Sequence, residues 1–163
     1  MVPSRDEISG WSDALPEDEA FIRHCLELAE EADRRGEVPV GAIVVLEGQI
    51  IGRGSNRCEE LGSPLAHAEM EALEAAFAGA GRGRLPGAEL YCTLEPCFMC
   101  AGAALHARVA RIVYGAQDPK FGACGSLAML PADHRLNHRC PVTAGVLFEE
   151  SADLLQAFFR RLR

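Results

Sequence analysis

Two stretches, Ala66-His67-Ala68-Glu69 and Leu94-Glu95-Pro96-Cys97-Phe98-Met99-Cys100, decide how this chain folds and what chemistry it can carry. One imidazole and two thiolates give a tetrahedral Zn²⁺ three ligands and leave the fourth position for water, as a catalytic zinc requires. Such a metal lowers the pKa of its water, so hydroxide becomes available near neutral pH. Glu69, two residues beyond His67, offers a carboxylate that can take the water's proton and deliver it to a leaving amine. The flanking residues say how the two stretches meet. Ser63-Pro64 supplies a cap and a first-turn proline for a helix over about Ala66 to Ala78, with Met70, Leu73, Ala76 and Phe77 as its core stripe. Glu89 to Thr93 reads as a strand, and Pro96 opens a helix to about His106. Cys97 and Cys100 then share one face of its first turn, where the positive end of the helix favours thiolate.

Outward from this centre, apolar residues recur at helical spacing from about Glu17 to Arg35, with Phe21, Ile22, Cys25, Leu26, Ala29 and Ala32 on one side and Gly36 as the stop. Ala42 to Leu46 is a buried strand, turned by Glu47-Gly48 into a second strand, Gln49 to Ser55. A loop over Asn56 to Leu65 leads to the His67 helix. Arg111 to Gly115 is a fourth strand, parallel to the third because a helix intervenes. An irregular stretch over 116–140, a short strand near Val142 to Ala144 and a helix over about Phe148 to Leu162 complete the chain. The expected fold is α/β, three layers, with a mixed five-stranded sheet flanked by about five helices. Residues 1–16 are expected to form a flexible leader and 17–163 a single zinc-binding domain.

Charge is uneven: 18 acidic and 8 basic side chains lie in residues 1–90, against 6 and 8 in residues 91–163, for a net of −8. Such a protein is poorly suited to nonspecific polyanion binding, although the second half can hold a local basic patch. Seven cysteines, an odd number, and a polar, acidic N-terminus without an apolar core point to a cytoplasmic protein with reduced thiols. No stretch reaches the roughly 18 apolar residues of a membrane span, so no membrane partner is expected. Cys25, Cys58, Cys92, Cys124 and Cys140 read as small buried hydrophobes.

His-x-Glu followed by Pro-Cys-x-x-Cys is the signature of zinc nucleobase deaminases. From about Glu19 onward the chain resembles the bacterial tRNA-specific adenosine deaminases of the cytidine deaminase-like superfamily. The likeness extends over Glu37-Val38-Pro39-Val40-Gly41-Ala42, Asn56-Arg57, Thr93 to Ala101, Asp118 through Gly125-Ser126, Asn137-His138-Arg139 and Phe158-Phe159-Arg160. It implies a homodimer that holds one Zn²⁺ per chain and converts the wobble adenosine of an arginine tRNA anticodon loop to inosine. It further implies that Val38, Pro39 and Asn56 line the base pocket and that the backbone at Ala68 bonds the flipped purine. Asp118 and Lys120 would contact the RNA backbone, and Phe158 and Arg160 would help hold the anticodon loop. The chain departs from the family at Ser63 and Leu65, where Asp and Thr are usual, and at Cys58, where proline is common.

Other readings stay open on the residues alone. A free-base deaminase acting on guanine or cytosine would use the same zinc chemistry and suits the acidic surface. A non-catalytic partner subunit with a structural zinc would want a fourth protein ligand, for which Cys92, His106 and Cys124 are candidates, but it leaves Glu69 unexplained. A redox Cys-x-x-Cys pair has no need of His67 or Glu69. Asn56 can simply end a strand by bonding its own backbone. Val38-Pro39 can be a strand entry, Asp118 and Lys120 a surface loop, and Phe158-Phe159 a core or dimer contact.

Overall fold

Short, unbroken runs of Val, Ile, Leu and Tyr form the sheet in the computed structural model, which describes residues 10–163. Five strands, β1 (Gly41–Leu46), β2 (Gln49–Ser55), β3 (Glu89–Leu94), β4 (Arg111–Ala116) and β5 (Val142–Thr143), lie in the order β2-β1-β3-β4-β5. β1 runs antiparallel to β2 and β3, whereas β3, β4 and β5 are parallel. Glu47 (φ 51°) and Gly48 (φ 77°) both take positive φ, the tight-turn geometry whose twist suits a two-residue hairpin loop. The mixed sheet, its hairpin and its parallel pair follow the expected pattern.

Five α-helices accompany the sheet: α1 (Asp18–Arg34), α2 (Cys58–Leu61), α3 (Ala68–Ala80), α4 (Phe98–His106) and α5 (Phe148–Arg161). Successive strand residues point to opposite faces, which divides the core into two clusters. Ala42, Val44, Leu90, Cys92, Ile112 and Tyr114 meet the alanines of α3 and α4 on one face. Ile43, Val45, Tyr91 and Val113 meet Ile22 and Cys25 of α1 on the other. The catalytic-looking motifs therefore sit on helices of a single face.

Several boundaries differ from expectation for identifiable reasons. The loop expected over Asn56 to Leu65 contains α2, whose first turn is capped by Glu37: its carboxylate accepts from the backbone N–H of Glu59 (3.1 Å) and Glu60 (2.8 Å). Ser63 does not cap the following helix. Its hydroxyl accepts from Leu65 N (3.2 Å) in a local turn, and the Ala66 carbonyl is taken by Arg57 N, so α3 starts only at Ala68 with His67 as its N-cap. Pro96 likewise stops one residue short of α4, whose N-cap is Cys97. In α3 the buried side chains are Ala68, Glu69, Ala72, Leu73 and Ala76, while Met70 and Phe77 are only half-buried.

Residues 1–9 of the expected flexible leader lie outside the described residues, but residues 10–13 are not free. Trp11 bridges Val142, Ser12 N donates to Val142 O (2.8 Å), and Val142 N donates to Gly10 O (2.6 Å). The segment thus extends the parallel edge beyond β5. Periodicity could not reveal it, because the strands it bonds, β4 and β5, lie far along the chain.

Candidate active site

Two helix starts converge at the site. His67 caps α3 in an extended conformation (φ −69°, ψ 151°), and Cys97 caps α4 in the same way (φ −73°, ψ 177°). Glu69 and Cys100 occupy the first turns of those helices. Both sets of free backbone N–H groups give the site a positive potential suited to thiolates and a carboxylate.

The geometry admits a metal. His67 Nδ1 lies 3.6 Å from Cys97 Sγ and 3.5 Å from Cys100 Sγ, and the three donor atoms all fall within 4.8 Å of one another. A tetrahedral zinc, with bonds of about 2.3 Å to sulfur and about 2.0–2.1 Å to nitrogen, would hold sulfur and nitrogen about 3.5–3.6 Å apart. The donor set fits zinc in both chemistry and spacing. Cys92, His106 and Cys124 are not in this cluster. A structural site closed by one of them is therefore disfavoured.

Protonation follows from the same contacts. The neighbouring Cys100, with help from His67, brings Cys97 down to about 4 against the opposing effect of burial. Cys100, beside Cys97 and buried, is pushed far above the ordinary thiol range. Burial drives the Glu69 carboxyl up to about 7. Its side chain reaches Cys100 Sγ at 3.6 Å, which places the carboxylate at the border of the metal position.

A cavity of about 520 Å³ opens onto these groups and is lined by Val38, Asn56, Cys58, Ala68, Glu95, Phe98, Asp118 and Phe121, among others. Val40 N donates to Val38 O (2.9 Å) across Pro39, a three-residue turn that presents Val38 to the cavity while Pro39 is buried outside the lining. Asn56 lines the cavity and also bonds locally, its Oδ1 accepting from Cys58 N (3.3 Å) and its Nδ2 donating to Val38 O (3.4 Å). Asp118 lines the cavity too, and its carboxylate accepts from the N–H of Lys120 (3.0 Å) and Phe121 (3.2 Å).

Other expected contacts are placed elsewhere. Lys120 is exposed and outside the lining. Phe158 is 7% exposed, edge-on to Phe159 with the Arg161 guanidinium over its ring. Helical spacing turns Phe158 toward the protein, whereas Phe159 is 45% exposed. Arg160 is exposed on the last turn of α5, also outside the lining. Cys58, expected to be a buried hydrophobe, is half-buried and lines the cavity because α2 holds it there.

Sequence reasoning passed over Glu95. It is 1% exposed, yet its carboxylate accepts from Asp118 N (3.3 Å), Cys124 N (3.2 Å), Ser126 N (3.1 Å) and Ser126 Oγ (2.5 Å). One side chain therefore organises the loop that carries Asp118. A β-carbon at Gly122 would lie 1.9 Å from Glu95 Oε2, so glycine is needed there. The only available signal was an acid inside the cysteine motif with no ligand role of its own.

A mixed sheet presenting a His-Cys-Cys metal site and a buried glutamate at two helix N-termini defines a zinc-dependent deaminase-type protein. Residues 15–116 match the family model of the cytidine and deoxycytidylate deaminase zinc-binding region, and the chain belongs to that family. It is 46% identical over 149 residues to a tRNA-specific adenosine deaminase of Bacillus subtilis, covering 91% of this chain and 92% of the relative. A tRNA-specific adenosine deaminase of Agrobacterium fabrum is 46% identical over 143 residues, covering 88% and 94%. A solved structure from work on A-to-I editing by tRNA:A34 deaminases superposes with a TM-score of 0.80 at 45% identity, covering 83% of this chain and 99% of that one. A guanine deaminase from Nitrosomonas europaea superposes at 0.74 with 28% identity, covering 89% and 85%.

Proposed function

We propose that this protein is a zinc-dependent hydrolytic deaminase that converts adenosine to inosine at the wobble position of a tRNA anticodon loop. The observation that carries the chemistry is the buried Glu69 carboxylate opening onto one cavity with a three-donor zinc position. The substrate follows from near-full-length identity to relatives named tRNA-specific adenosine deaminase, well above the identity to the guanine deaminase.

His67, Cys97 and Cys100 hold the metal, and zinc supplies the Lewis acidity that brings the pKa of a bound water near neutrality. The reaction adds water across the C6–N1 bond of the purine and expels ammonia. Glu69 takes one water proton and places it on N1 as the C6–O bond forms. It then moves the second proton from the new hydroxyl to the amino nitrogen, the C6–N bond breaks, and the carboxylate is restored. Val38, Asn56 and Asp118 provide the cavity wall and the Ala68 backbone a contact for the purine. Pro39 acts from behind by shaping the Val38 turn. Because C6 is out of reach in a stacked base, the adenosine must enter the cavity flipped out. Lys120 and Arg160, exposed outside the cavity, would meet phosphates rather than the base, and Phe158 would support Arg160's helix.

An arginine tRNA as substrate, a homodimer and a cytoplasmic location complete the reading. Among the described residues no helix is long and apolar enough to cross a membrane. The small-residue helix α4, with Gly102, Leu105 and His106 beside Leu136 and His138 in a surface depression, offers a face for a second copy. Light scattering should give twice 17.6 kDa; a monomer at micromolar concentration would remove the dimer. The zinc-loaded protein should form inosine in an arginine tRNA anticodon stem-loop. Turnover of free guanine or cytosine, with no inosine in any tRNA, would establish the free-base alternative instead.

A further inference from the structure

Of the large apolar side chains exposed on the described surface, two also line the catalytic cavity: Phe98, 47% exposed, and Phe121, 65% exposed. Both are held on backbone that the site already fixes. Phe98 is the first residue of α4, directly after the Cys97 cap. Phe121 donates its N–H to Asp118 Oδ1, and the loop around it is pinned by four hydrogen bonds to Glu95. Neither ring is paired with another aromatic ring among the described residues. Rings kept in water beside a catalytic cavity on rigid backbone mark a contact surface rather than a folding requirement.

We infer that Phe98 and Phe121 are stacking platforms for the nucleobases that flank the target adenosine. The inference rests on the RNA reading above. An adenosine flipped into the cavity leaves its neighbours unstacked at the mouth, where a π-face replaces the lost stacking regardless of base identity. The charge of the chain favours the same solution. With a net of −8 and Lys120 as its one lysine, the protein gains less from counterion release than basic RNA-binding proteins do. Stacking on neutral rings does not depend on that source of affinity.

The test uses zinc-loaded wild type, F98A, F121A and the aromatic replacements F98W and F121W. The probes are an arginine tRNA anticodon stem-loop and the same loop made abasic on either side of the target. Each alanine variant should bind the intact loop about five- to a hundredfold more weakly. KM should rise accordingly, zinc should stay at one per chain, and the salt slope of binding should not change, since no phosphate contact is lost. Tryptophan should restore binding. At one flanking position the abasic loop should cost wild type a similar factor and cost the matching alanine variant little more, a coupling that a merely structural role would not produce. Wild-type affinity in both alanine variants, or losses that simply add to the abasic loss, would overturn the inference. So would a change in solution mass with unaltered RNA binding, which would make the rings self-association contacts. Absence of inosine with wild-type protein would instead sink the RNA reading, and this inference with it.

Discussion

Glu69 shows how one residue's position serves two demands. In the first turn of α3 its carboxylate is buried, lies near the positive helix start, and stands 3.6 Å from Cys100 Sγ. E69Q keeps the shape and removes the proton shuttle. It should retain zinc and thermal stability while deamination falls by at least about 10²–10⁴-fold. Near wild-type turnover would show that another group moves the protons. The cysteines answer a different question. C97S or C100S should lose zinc and stability together, because a site assembled by folding returns its binding energy to the fold. Chelating the wild-type metal should lower the melting temperature as well, which differential scanning fluorimetry can measure. An unchanged melting temperature would separate the metal from stability.

Helix α3 can bring His67 and Glu69 to the site only because strand β2 carries glycines beneath it. A β-carbon at Gly54 would sit 2.2 Å from Ala68 O and 2.5 Å from Ala72 N, and one at Gly52 would sit 2.2 Å from Ala72 O. The two substitutions push on the helix at different turns. G54A acts on Ala68, between the ligand and the acid, whereas G52A acts one turn further from the site. Both should cost about 1–3 kcal/mol or more through overpacking, or several degrees of melting temperature. G54A should additionally weaken zinc retention and activity, with G52A retaining both after correction for folded fraction. Equal zinc loss in the two variants would mean that α3 shifts as a rigid body.

At the scale of the molecule, a buried ionic network joins segments distant in sequence. Asp18 of α1, fully buried, accepts from Arg111 Nη1 (2.8 Å) and Nη2 (2.5 Å), Tyr91 OH (2.9 Å) and Leu15 N (2.7 Å). Arg111 also reaches Glu89, Thr143 and the Asp13 carbonyl. Burial alone would raise the Asp18 carboxyl, but Arg111 and the other donors outweigh it and hold it below the usual carboxylate range. A folded value below the unfolded one, about 3.9, means that this stabilisation is fully present above about pH 4 and is lost as pH falls through the folded value. D18N should cost about 3–5 kcal/mol by leaving Arg111 short of its buried partner. It should also flatten the decline of urea midpoints below pH 4. A variant with wild-type acid sensitivity would assign that decline to other carboxylates.

The local sequence determined what depends on near neighbours. Apolar runs specified the strands, Glu47-Gly48 the hairpin turn, helical spacing α1 and α5, and an intervening helix the parallel pair β3 and β4. The identities of His67, Glu69, Cys97 and Cys100 announced the zinc chemistry, because few roles suit an imidazole, two thiolates and a carboxylate together. What the tertiary structure decided depends on partners that no local period records. Ser63 looked like a helix cap, but Arg57 takes the Ala66 carbonyl, and α3 starts at Ala68 with His67 as its N-cap. Glu95 drew no reading of its own within the cysteine motif, because its partners, the backbone N–H groups of Asp118, Cys124 and Ser126, meet it only in the folded chain. Residues 10–13 looked like a loose leader until Val142 offered them an open strand edge. Helical and strand periods record which way a side chain faces, whereas a hydrogen bond across a hundred residues leaves no period to read.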